Sequence, residues 1–104
     1  ANGNVGQSAY SAAKSGVNAL TKTWSKELSK FKIRVAGISP GFIDTPSTKK
    51  ALSKKIISNL KENTASGRFG KKSEFIQAVN FIINNKFFNG KILEIDGGLN
   101  LWKN

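Results

Sequence analysis

Apolar residues at Val17, Leu20, Trp24 and Leu28 recur every three or four positions, while Lys14, Lys22, Lys26 and Lys30 carry the polar side. That period matches the turn of an α-helix and predicts an amphipathic helix from Ala9 to about Ser29. The small residues Ala9, Ala12, Ala13, Gly16 and Ala19 leave room along it for a neighbouring helix or a flat ligand. Residues 1–8, ANGNVGQS, read as a Gly- and Asn-rich loop leading in. Ile33–Ser39 is apolar on both faces apart from Arg34 and is stopped by Pro40-Gly41, which predicts a buried parallel strand. A long helix followed at once by such a strand is half of a βαβ unit and sets the class as α/β.

Beyond the turn-rich FIDTPSTKK, the positions Leu52, Ile56, Ile57 and Leu60 predict one short amphipathic helix, its other side carrying Lys49, Lys50, Lys54, Lys55 and Lys61. Glu62–Lys72 reads as a loop around Gly67-Arg68-Phe69-Gly70. Ser73 is the expected N-cap of a helix with Glu74 in its first turn; that helix is expected to bury Phe75, Ile76, Val79, Ile82 and Ile83 and to end at Asn84-Asn85-Lys86. Asn89-Gly90 signals a turn, Lys91–Asp96 alternates as a strand, and Gly97-Gly98 closes it. Two strands and two long helices do not close a layer, because a buried parallel strand needs neighbours on both edges. The chain therefore reads as incomplete on its own.

At 104 residues with 38% hydrophobic content the chain is at most one domain with a modest core. Seventeen basic against six acidic residues leave a net charge of +11, which admits an acidic partner, a phosphate-bearing ligand or a membrane surface. The lysines are scattered, with no Arg-rich run, zinc-finger spacing or aromatic-Gly signature, so nucleic acid is not an expected partner. With neither Cys nor His, disulfides, thiol catalysis, Ser-His-Asp triads and histidine metal sites are excluded. The available chemistry is that of Tyr, Lys, Ser, Thr, carboxylates and backbone dipoles. No apolar run approaches the roughly 18 residues of a membrane span, and a cytoplasmic protein without membrane contact is expected.

Within the first helix, Tyr10 and Lys14 in YSAAK stand four positions apart, a spacing that puts both side chains on one face. An isolated phenol, with a pKa near ~10, is a poor acid-base group at neutral pH, and a cation held close favours the phenolate. The pair is thus a candidate proton-transfer device; taken alone, the same spacing also suits ordinary surface packing.

Read in order, YSAAK at 10–14, ISPGFIDTP at 38–46, GRFGKKSEF at 67–75 and NGKILEIDGGL at 89–99 resemble the C-terminal portion of a short-chain dehydrogenase/reductase, most like the beta-ketoacyl-acyl-carrier-protein reductase group. The resemblance implies part of a Rossmann-type doubly wound parallel sheet in three α/β/α layers. It divides the single domain into an active-site helix, strand and cofactor turn at 1–45, a substrate lid at 46–72 and a last helix and strand at 73–104. It implies an oxidoreductase interconverting a carbonyl and an alcohol with NAD or NADP, not distinguished. Tyr10 would be the general acid or base, and Lys14 would hold the nicotinamide ribose and lower the Tyr10 pKa. Pro40, Gly41, Phe42 and Ile43 would lie at the cofactor beyond the strand end, with the Ile43 backbone bonding the carboxamide and the Thr45 hydroxyl holding carboxamide or pyrophosphate.

By the same resemblance, Phe42 and residues 46–60 would cover a small-molecule or acyl-thioester carbonyl substrate. If that substrate rode on acyl carrier protein or coenzyme A, the lysine face and Lys30 and Lys32 would meet its acidic groups. A homo-oligomer, dimer or tetramer, is implied, with Leu99–Asn104 near an interface. The family's catalytic serine and Gly-rich phosphate turn would precede Ala1, so the chain is expected to be a fragment inactive alone. Lys32 stands where the family has Gly or Asn; it would cost on the order of 1 kcal/mol if a left-handed backbone is kept, unless Phe31 reshapes the loop. The alternative reading is a non-enzymatic basic binding protein on a degenerate scaffold of this kind.

Overall fold

The computed structural model describes residues 2–99, with side chains from Ser8 onward. Its order is α1 (Asn2–Leu28), a 3₁₀ turn (Ser29–Phe31), β1 (Ala36–Pro40), α2 (Pro46–Ala51), α3 (Lys54–Glu62), α4 (Lys72–Asn84) and β2 (Lys91–Ile95). The strands are hydrogen-bonded neighbours in a two-stranded parallel sheet, as the α/β reading requires. Contacts divide the chain into two compact units, the described part of Ala1–Gly37 with Asn85–Ile92, and Ile38–Asn84 with the described part of Leu93–Asn104.

In the first unit α1 begins at Asn2, where a loop is expected through Ser8. Once a long downstream helix is nucleated, each further residue adds one backbone hydrogen bond, and this offsets the weak propensity of Gly and Asn. The predicted apolar stripe is present, but Val17, Leu20 and Trp24 are about half exposed; α1 instead buries Thr21, whose hydroxyl donates to the Val17 carbonyl at 2.8 Å. The helix ends through its 3₁₀ turn in a Schellman motif: the Lys32 amide donates to Ser29 at 2.9 Å and the Ile33 amide to Leu28 at 3.3 Å. Lys32 sits at φ 60°, so the left-handed backbone is kept and Phe31 does not reshape it.

The first strand starts at Ala36, later than expected, because Arg34 and Val35 are engaged elsewhere. Arg34 Nη1 donates to the carbonyls of Asn85 and Phe88, the Val35 amide donates to Asn89 Oδ1 at 2.9 Å, and the Val35 carbonyl accepts from Gly90 at 2.7 Å. The strand is half-buried through Ser39 rather than buried, and Pro40, which has no N–H to lose, is its last residue.

In the second unit the expected single short helix is two. Thr45 caps α2, with its Oγ1 accepting from the Thr48 amide at 3.2 Å and Pro46 following at the first helical position. Leu52 then turns extended, and Ser53 Oγ caps α3 by accepting from Ile56 at 3.2 Å. The loop after α3 is pinned by an antiparallel bridge of Thr64 to Leu99 and by the amides of Ala65 and Ser66 donating to the carbonyls of Gly98 and Gly97. Phe69 is buried, 5.7 Å from the Phe42 ring and beneath Lys61 Nζ at 5.5 Å.

Ser73 lies inside α4 rather than capping it. Lys71 precedes the helix, its carbonyl accepting from Glu74 and Phe75, and Glu74 Oε1 reaches back to the Lys71 amide at 2.8 Å, the carboxylate half of a capping box. Ala78 is buried and Phe75, Val79 and Ile82 are half-buried at i, i+3, i+4 and i+7 spacing. Ile76 and Ile83, expected in the core, are exposed at 56% and 59%, because the described residues cover only one side of the helix. β2 stops one residue short of the expected end, where Asp96 Oδ1 accepts from the Gly98 amide at 2.9 Å and starts the closing turn. Asn100–Asn104 of the expected interface segment lie outside the described residues. Among the described residues no helix is long and apolar enough to cross a membrane.

Candidate active site

In the first unit, the uninterrupted backbone of α1 places Tyr10 and Lys14 one turn apart on one face, as the spacing predicts. Lys14 Nζ stands 6.0 Å from the centroid of the Tyr10 ring. Tyr10 is 42% exposed and Lys14 half-buried, so the phenol is open to a reactant while the ammonium stem is supported. A phenol with a cation held beside it by a helix is a sound frame for proton transfer.

In the second unit four of the other expected residues, Pro40, Gly41, Phe42 and Ile43, line one cavity of about 210 Å³ together with Arg68, Asp96 and others, whereas Thr45 is not among its lining residues. It opens at the carboxyl ends of the strands, where ligands of open parallel sheets bind. Gly41 is required by a close approach: its amide donates to the Ile95 carbonyl at 2.8 Å, and a Cβ there would lie 2.9 Å from the Asp96 Cα. A parallel bridge joins Ile43 to Gly70 through the Gly70 amide to the Phe42 carbonyl at 2.9 Å and the Asp44 amide to the Gly70 carbonyl at 2.8 Å. Because peptide groups alternate along an extended strand, the Ile43 amide and carbonyl face the opposite side, and the carbonyl accepts from the Thr48 hydroxyl at 2.7 Å.

The Thr45 hydroxyl is engaged with Thr48. Its oxygen accepts from the Thr48 amide and lies 3.1 Å from Thr48 Oγ1; since the Thr48 proton goes to Ile43, Thr45 is the donor of that pair. A hydroxyl oxygen has two lone pairs, so one is left over.

Two charged residues outside the sequence-predicted site, Arg68 and the first-turn Glu74, line the same cavity. Arg68 Nη1 and Nη2 donate to Glu74 Oε1 and Oε2, each at 2.8 Å, a bidentate pair. The Arg68 hydrogen bond, followed by the one from the Lys71 amide, lowers the Glu74 pKa to about 2, and Glu74 in turn raises that of Arg68. The six-residue separation carries no helical signal; a Gly-flanked arginine ahead of a helix-opening glutamate is the trace that was legible.

Tested against a nicotinamide dinucleotide, the residues of the second unit suit the nicotinamide end. They offer a ring-sized cavity lined by Pro40–Ile43, an Ile43 backbone amide turned away from the bridge to Gly70 and, outside that lining, a spare hydroxyl lone pair at Thr45. Among the described residues there is no Gly-rich strand-to-helix turn to take the pyrophosphate and adenine end.

The family described as enoyl-(acyl carrier protein) reductase matches residues 2–100. The chain is 43% identical over 99 residues to the 3-oxoacyl-(acyl-carrier-protein) reductase FabG of Thermotoga maritima, covering 93% of this chain and 40% of that protein. It is 39% identical over 104 residues to carbonyl reductase family member 4 of Xenopus laevis, covering 95% and 40%. Among solved structures it superposes on 4-hydroxyisoleucine dehydrogenase complexed with NADH, with a TM-score of 0.76, 32% identity and coverage of 92% and 41%. The 3-hydroxyacyl-CoA dehydrogenase type-2 of Mycobacterium avium gives the same TM-score at 33% identity, covering 89% and 36%. The chain thus spans about 40% of the length of the curated relatives it matches.

Proposed function

This chain belongs to the short-chain dehydrogenase/reductase family, and from that premise we propose that it is the acid-base and nicotinamide-side part of an oxidoreductase interconverting a carbonyl and an alcohol with NAD or NADP. The observation that carries the reading is the Tyr10–Lys14 pair, ring and ammonium 6.0 Å apart on one helix face. When bound, the nicotinamide exchanges hydride with the substrate carbon. Tyr10 gives the proton from its Oη to the carbonyl oxygen on reduction and takes it back on oxidation. Lys14 stabilises the phenolate left behind and holds the ribose hydroxyls. Pro40 to Ile43 hold the carboxamide end, and the free lone pair of Thr45 suits a carboxamide N–H, whereas a pyrophosphate oxygen, an acceptor only, has nothing to accept there.

The relatives named 3-oxoacyl-(acyl-carrier-protein) reductase support a β-ketoacyl thioester as substrate. The lysines of α2 and α3 are then groups that meet acyl carrier protein, as Lys30 and Lys32 are by their charge. A homo-oligomer and a cytoplasmic setting complete the reading. Residues 1–104 alone, lacking the phosphate turn, bind the dinucleotide weakly and turn over no substrate. The test is NAD(P)H oxidation by the full-length product of the reading frame with acyl thioesters and free ketones. Thioester reduction that Tyr10→Phe abolishes supports the reading, and reduction untouched by that substitution overturns it.

A further inference from the structure

Three hydrogen bonds meet on Glu74. Two come from the Arg68 guanidinium and one from the Lys71 amide, each at 2.8 Å, and Arg68 Nη1 also donates to the Phe69 carbonyl at 3.1 Å. Together they close the loop Gly67–Lys71 into a ring on the first turn of α4. The two side chains are 50% and 36% exposed, and an ion pair so open to water contributes little to global stability. What it does confer is geometry, since a bidentate Arg-carboxylate pair fixes both distance and plane.

The residue held inside that ring is Gly70, and Gly70 makes both bonds of the bridge to the strand-end segment. Its amide binds the Phe42 carbonyl and its carbonyl binds the Asp44 amide, the two peptide groups that flank Ile43. With its neighbours pinned on one side, the Ile43 peptide is held facing the other. Phe69, buried against Phe42, supports the same segment from the side-chain layer.

We infer that Arg68 and Glu74 are positioning residues for dinucleotide recognition: their clamp on Gly70 sets the orientation of the Ile43 backbone that receives the carboxamide. This rests on the oxidoreductase reading above. It assigns no chemistry to either residue, so the effect belongs in the affinity for cofactor and not in the pH dependence of proton transfer.

The experiment compares the full-length product with its Arg68→Gln, Glu74→Gln and Arg68→Lys variants, by steady-state kinetics with NADH and NADPH and by amide hydrogen exchange at Asp44 and Gly70. Arg68→Gln and Glu74→Gln are expected to speed exchange at both amides and to raise the dinucleotide KM about three- to tenfold, the factor that weakening one ligand hydrogen bond produces, with carbonyl-substrate KM unchanged. Arg68→Lys, which keeps the charge but not the fork, is expected to lie between and serves as the decisive variant if the glutamines do not fold. An unchanged dinucleotide KM, or equal losses for both substrates with normal exchange at Asp44 and Gly70, overturns the inference. Absence of any NAD(P)H-dependent reduction by the unmodified protein would instead sink the functional reading, and the exchange data would still report whether the clamp holds Gly70.

Discussion

Gly41 and Asp96 lie so close that a methyl group on the glycine would sit 2.9 Å from the Asp96 Cα and 3.0 Å from its Cβ. The constraint comes from backbone, which cannot swing aside as a long side chain does. Gly41→Ala is therefore expected to push the strand ends apart, straining the 2.8 Å bond from the Gly41 amide to Ile95. The expected cost is about 1–3 kcal/mol, the usual range for overpacking, read from the urea midpoint. An unchanged midpoint would show that the strand ends part freely.

Lys32 carries the opposite opportunity. It occupies the left-handed position of a Schellman motif at φ 60°, where glycine meets no Cβ penalty. Lys32→Gly is expected to raise stability by about 1 kcal/mol, seen as a higher thermal midpoint with the same unfolding cooperativity. A lower midpoint would mean that the lysine side chain contributes more than the backbone costs.

The proton-transfer pair calls for a kinetic test. In the full-length product, Tyr10→Phe removes the only hydroxyl on that ring and is expected to lower kcat by about 10²- to 10⁴-fold with a small change in KM. Lys14→Met is expected to raise the dinucleotide KM as well, since Lys14 is assigned two tasks. Equal kinetic signatures from the two variants would contradict that division.

How much was legible follows from the range over which each feature is encoded. The Tyr10–Lys14 pair needs only a helical period, and the order of helices and strands needs only runs of apolar residues, so both could be read from the chain. The break between α2 and α3 rests on Leu52 turning extended so that Ser53 can cap the next helix, a local choice that the stripe of Leu52, Ile56 and Leu60 conceals. Ser73 loses the cap to Lys71 because Glu74 reaches back one turn, and it does so while held by Arg68. That pairing depends on the closure of the Gly67–Gly70 loop and has no periodic signature. Ile76 and Ile83 look like core in the sequence and are exposed in the fold, because periodicity reports apolar positions without reporting what covers them.

Glu74 should also mark the acid limb of stability. Its folded pKa of about 2 lies below its ordinary 4.5, held down first by the Arg68 hydrogen bond and then by the Lys71 amide. A depressed carboxyl pKa contributes stability that is fully present above the ordinary value and is lost as pH falls through the folded one. The contribution of the pair is therefore expected to fade between about pH 4.5 and pH 2, and to be small at every pH because both partners face water. A carboxyl-carbon titration of Glu74 by NMR with a midpoint near the ordinary value would contradict the clamp geometry.

Thr45 allows its two roles to be separated by a pair of substitutions. Thr45→Ala removes the cap of α2 and is expected to cost about 1 kcal/mol, while Thr45→Ser keeps the oxygen that accepts from Thr48 and is expected to be near neutral. If the spare lone pair receives the carboxamide, the full-length Thr45→Ala enzyme shows a raised dinucleotide KM that Thr45→Ser restores. A cap-only role predicts something else. Thr45→Ala would then lower stability with the dinucleotide KM unmoved, and the Thr45 assignment to cofactor would fall while that of Ile43 stood.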